Sequence, residues 1–122
     1  MDERIKKLAY NLVNYSVRVQ PGEKVYIHYI GETTKPLAKQ LVKETYAAGG
    51  VPFVHCTDTT LQREILLNCK KEQMELMAEF DSKEMSAMDC YIALRGSDNI
   101  AELSDVPEEQ MHLYETIYQT AV

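Results

Sequence analysis

Two apolar runs rich in β-branched and aromatic residues, Lys24 to Ile30 and Val51 to Thr57, stand on either side of one helical pattern, and this spacing constrains the fold more than any other feature. Before the first run, Gln20-Pro21-Gly22-Glu23 interrupts the chain, because proline has no N–H to donate and glycine tolerates turn dihedrals. After it, Gly31-Glu32-Thr33-Thr34 closes the strand. A threonine is placed to cap the next helix, and Pro36 is tolerated in that helix's first turn. Leu37, Ala38, Leu41, Val42 and Thr45 recur at helical spacing and form its buried face. Ala47-Ala48-Gly49-Gly50 then supplies glycine where a helix end favours a left-handed residue, and Pro52 suits an edge strand or a first strand position. The unit is β-α-β. Its crossover is expected to be right-handed, with the strands parallel and the helix on one face.

The rest of the chain extends this unit. Residues 2 to 16 carry Ile5, Leu8, Ala9, Leu12 and Val13, the stripe of a helix lying on a core. Two or three helical pieces are expected between Thr59 and Met88: one with Leu61, Ile65, Leu66 and Cys69, one with Met74, Met77 and Ala78, and a short turn capped by Ser82 that carries Met85 and Met88. At this spacing the methionines are adaptable packing rather than a thioether site. Cys90 to Leu94 is a third strand, short and apolar. Asp105-Val106-Pro107-Glu108 has the form of a capping box with proline in the first turn, and Met111, Tyr114, Tyr118 and Ala121 give the last helix an apolar side. The predicted fold is a single α/β domain over residues 1–122, three-layered and Rossmann-like, with a short parallel sheet of order 2-1-3 and helices on both faces. It looks truncated, because a helix follows the third strand in the position of a crossover and no fourth strand comes after it.

Composition excludes several classes of function. A net charge of −6, with no basic run longer than two residues, lacks the electrostatic footprint of a nucleic-acid binder. A charged N-terminus leading into an amphipathic segment is neither a secretory signal nor a membrane span, so the expected compartment is the cytoplasm. Cys56, Cys69 and Cys90 are widely spaced, match no zinc or redox pattern, and are expected to be buried free thiols. His28, His55 and His112 fit no metal-ligand pattern and read as strand-lining or surface residues. Gly31 alone follows the first strand, which is not the glycine spacing that cradles a pyrophosphate.

The most specific stretch is Tyr91 to Pro107, a strand-end loop leading into a helix. In a 2-1-3 sheet the connections leave strands one and three in opposite directions, and ligands bind in the crevice at their C-terminal ends. That rule nominates Glu32 from the first strand's loop and Arg95, Ser97, Asp98 and Asn99 from the third. The plainer reading of the same residues is that Asp98 and Asn99 shape a turn while Arg95 pairs with a nearby carboxylate.

The opening helix with Leu12-Val13-Asn14-Tyr15-Ser16, followed by Gln20-Pro21-Gly22-Glu23-Lys24-Val25, resembles the N-terminal region of the aminopeptidase T and aminopeptidase S family of metallo-aminopeptidases. Ala47-Ala48-Gly49-Gly50-Val51-Pro52 is similar to that family's helix-to-strand junction. Tyr91 to Pro107, with Asn99-Ile100-Ala101-Glu102-Leu103 and Asp105-Val106-Pro107, resembles its third-strand loop. The resemblance runs in order along essentially all 122 residues. It implies a parent protein that is a homodimeric exopeptidase, releasing N-terminal residues from peptides with two divalent metal ions, zinc or cobalt. It also implies that the ligands, a set of Glu, His, Tyr and Asp side chains, lie in the second half of a longer chain and match no position here. Two cations activate water and hold the substrate between them, and without their ligands that chemistry has no agent. On this reading the chain is the N-terminal part of such an enzyme, has no catalytic or metal-binding residue, lacks the domain that takes the peptide substrate, and is inactive alone. The alternative is a stand-alone α/β module that binds a small polar ligand at Glu32 and the Arg95 to Asn99 loop, or docks a partner chain.

Overall fold

Strand β1 (Lys24–Ile30) is the centre of a three-stranded parallel sheet ordered β2-β1-β3, with β2 at Val51–Thr57 and β3 at Cys90–Arg95. The computed structural model describes residues 2–96 and 106–119. These fall into two compact units, one of residues 2–57 and 88–96, the other of residues 58–87 and 106–119. The α/β class, the parallel pairing and the order 2-1-3 are those expected from the spacing of the runs.

In the first unit, register decides what is buried. Val25 stands opposite Pro52 and Cys90, and Ile27 opposite Val54 and Ile92. Because strand side chains alternate, Val25, Ile27, Cys90 and Ile92 share one face. They form the core with Ala9 of α1 (Glu3–Asn11), Val13, Val19, and Ala38 and Leu41 of α2 (Lys35–Ala47). Each valine, leucine or isoleucine fully buried there contributes about 1.5–3 kcal/mol. No β2 residue belongs to this buried cluster. That explains a correction: Cys56 is exposed rather than buried, on a strand flanked by a neighbour on one side only, whereas Cys69 and Cys90 are buried as expected.

Helix α1 begins where the Asp2 carboxylate accepts the Arg4 N–H at 2.8 Å. Of its predicted stripe only Ala9 and Val13 are fully buried, while Leu8 is 48% exposed. The helix widens into a π-helical turn over Leu12–Ser16, with the Val17 N–H reaching the Leu12 carbonyl at 2.8 Å, and it ends at Arg18, whose φ of 58° no longer continues a right-handed helix. At the start of α2, Pro36 sits in the first turn as expected, but Thr34 does not cap. Its hydroxyl donates backwards to the carbonyls of Gly31 at 2.8 Å and Ile30 at 3.2 Å, so it closes the strand instead.

The N-terminal edge of the sheet is a lock built from the glycine-rich turns. The Gly22 N–H donates to the Gly49 carbonyl, and the Val51 N–H to the Glu23 carbonyl, both at 2.8 Å. The Glu23 carboxylate accepts the Gln20 N–H at 2.7 Å and lies 3.7 Å from the Cys90 thiol. Asp89 fastens β3 to β1, accepting the Lys24 N–H at 2.8 Å and donating its own N–H to the Lys24 carbonyl at 2.8 Å. Burial, reinforced by the Glu23 carboxylate, pushes the Cys90 thiol above its ordinary pKa, which keeps it an inert neutral group.

One core atom is unsatisfied. Thr45 is 0% exposed, and its hydroxyl has no hydrogen-bond partner among the described residues. Burying a hydroxyl without a partner is costly, so Thr45→Val is expected to raise the unfolding free energy by about 1 kcal/mol. A higher urea midpoint with unchanged slope is the measurement that checks this. A lower midpoint would show that the hydroxyl does have a role.

The second unit is helical. Helix α3 (Thr59–Leu67) starts at Asp58, whose carboxylate accepts the Thr60 N–H at 2.9 Å and the Thr60 hydroxyl at 2.6 Å; these bonds hold its pKa below the usual carboxylate range. Helix α4 runs unbroken over Lys71–Ser86, so two helices span this region and no new helix starts at Ser82. The segment has no glycine or proline to interrupt it. Helix α5 (Glu108–Leu113) widens into a π-helical turn over Tyr114–Gln119. Pro107 is the residue before its first turn and makes no side-chain cap, while Asp105 lies outside the described residues. Leu66, Cys69, Met74 and Val106 form the buried cluster, with Met77, Met111 and Tyr118 packed on it, so these methionines are packing residues. The Tyr118 hydroxyl bonds Asp81, Tyr118 stacks on Tyr114 with ring centroids 5.5 Å apart, and Gln62 donates to the Tyr114 hydroxyl at 3.2 Å.

Candidate functional site

At the C-terminal edge of the sheet, β1 ends at Ile30, in register with Arg95, the last residue of β3. The chain leaves β1 through Gly31, whose φ of 93° favours glycine, into a 3-10 turn over Glu32–Thr34. It leaves β3 through Gly96, whose N–H donates to the Ile30 carbonyl at 2.7 Å. The structure therefore brings Glu32 and Arg95 to the same edge of the sheet, both exposed. Ser97, Asp98 and Asn99 lie outside the described residues. Among the described residues no hydrogen bond or ion pair reaches either the Glu32 or the Arg95 side chain; ion pairs seen elsewhere include Asp2–Arg4, Glu3–Lys6 and Arg63–Glu64.

Beside this edge, Tyr29 is in register with Cys56. A hydrogen bond to the Cys56 thiol raises the Tyr29 phenol above its ordinary pKa, with burial and the charges of Cys56 and Glu32 adding to the effect. The phenol thus stays a neutral donor in the physiological range. On the opposite face, His28 and His55 stand in register. Tyr26 stacks on His55 with centroids 5.3 Å apart and 28° between planes, and His28 Nε2 is 2.6 Å from the Thr57 hydroxyl. Sequence spacing set these two histidines apart. The signal that joins them is positional: each is the fifth residue of its run, and parallel in-register pairing places equal positions side by side.

In the other unit a depression of about 480 Å³ is lined by Glu108, Glu109, Met111, His112 and Glu115. Its three glutamates make it acidic, but it is not a cage. Among the described residues no group of three or more His, Cys, Asp or Glu side chains is placed to hold a metal ion. The donor set on these residues therefore does not fit a dinuclear centre, which needs several carboxylate and imidazole ligands converging on two cations. No helix among the described residues is long and apolar enough to cross a membrane.

A parallel sheet ordered 2-1-3, with Glu32 and Arg95 at its C-terminal edge, defines a small Rossmann-like α/β module. By sequence, the chain belongs to the thermophilic metalloprotease (M29) family, whose profile matches residues 1–122. Among solved structures it is similar to wild-type AmpT from Thermus thermophilus, with a TM-score of 0.74 and 19% identity over 98% of this chain. At that identity the likeness is one of fold. The chain spans 31% of the length of that AmpT chain. No curated protein matches it. The family resemblance carried by the glycine-rich turns and the third-strand loop is thus the family found by comparison.

Proposed function

We propose that this chain is the N-terminal α/β portion of a metal-dependent aminopeptidase, supplying scaffold and one wall of the substrate cleft, and that it does not hydrolyse peptides alone. The observation that carries this reading is the family match over residues 1–122 together with coverage of only 31% of the AmpT chain. In the parent enzyme two divalent metal ions, zinc or cobalt, supply the activated water, held by residues outside this chain. The peptide substrate is taken by the C-terminal domain, the parent is a homodimer, and its compartment is the cytoplasm. The expected result is that the 122-residue chain releases no chromophore from an aminoacyl anilide in the presence of zinc or cobalt. Metal-dependent turnover that survives repurification and disappears with a chelator would overturn it.

Glu32 and Arg95, with Ser97 and Asn99 from the sequence reading, are the residues assigned to the cleft wall. The carboxylate suits an amine and the guanidinium a carbonyl or carboxylate. By calorimetry with an aminoacyl amide as the probe, Arg95→Ala is expected to weaken any binding by about 5-fold or more, the effect of losing one charge-assisted hydrogen bond. Unchanged affinity in that variant would remove Arg95 from the wall.

A further inference from the structure

We draw no further inference here: the strongest candidate, the aromatic patch on the sheet face away from α1 and α2 where Tyr26 stacks on His55 beside His28 and Tyr91, carries nothing because nothing among the described residues shows what covers it.

Discussion

Ile27→Ala is expected to lower the unfolding free energy by about 2–5 kcal/mol, a large share of the ~5–15 kcal/mol typical of a domain. Ile27 is 0% exposed at the middle of the central strand, and it is among the largest fully buried side chains. It belongs to the core shared with the helix layer and is flanked by Val54 and Ile92 in the sheet, so truncation leaves a cavity that neighbours on several elements would have to move to fill. Urea unfolding followed by circular dichroism reads the loss. Val54→Ala is the matched control: it lies in the same register row but is 42% exposed on the edge strand, and it should cost less than about 1 kcal/mol. Equal losses in the two variants would show that the core is not centred on β1.

Gly50→Ala is expected to be destabilising. A Cβ at Gly50 would come within 2.7 Å of Val19 Cγ1, 3.0 Å of Thr45 Cγ2 and 3.3 Å of the Glu23 carbonyl. Val19 and Thr45 are themselves buried, and the Glu23 carbonyl is fixed by the Val51 N–H, so none of the three can yield freely. The expected cost is about 1–3 kcal/mol, typical of overpacking a dense core. Pairing the change with Val19→Ala separates the causes: the double variant should recover part of the loss if the clash is responsible. If the single variant melted like the parent chain, the close packing of the two turns would be refuted. Gly49 differs in kind, because a side chain there would combine backbone strain, from a φ of 86°, with a Cβ only 3.2 Å from the Pro21 Cα.

Much of this arrangement is legible in the residues alone. Glycine and proline around residues 20–23 and 47–52 mark the strand limits, and a helix-length connection between the two runs points to parallel pairing. The differences have physical causes. The sequence offers a threonine, Thr33 or Thr34, to cap the helix start, yet Thr34 donates to the strand end, because a hydroxyl can serve either and only the local dihedrals choose. Residue type predicts a buried Cys56, but its edge position outweighs that preference. Ser82 has the form of a helix start, yet an uninterrupted run of helix-forming residues carries α4 through it. The His28 and His55 pairing needs the register of two strands, a relation between segments that no local spacing contains. Of the candidate cleft residues, Glu32 and Arg95 lie at one edge of the sheet.

The glycine-rich turns that carry the family resemblance meet at the N-terminal edge of the sheet, opposite the edge where Glu32 and Arg95 lie. Their role is therefore in assembly of the fold, and the central position of β1 gives that role a temporal side. The lock to β2 closes a short β-α-β loop, while the Asp89 clasp to Lys24 joins residues 65 apart in the chain. Longer loops close at greater entropic cost, so the β1-α2-β2 pairing is favoured to form before β3 docks. During that interval the open edge is β1 itself, whose apolar core side chains are not yet enclosed, whereas in the finished sheet the outer strands are β2 and β3.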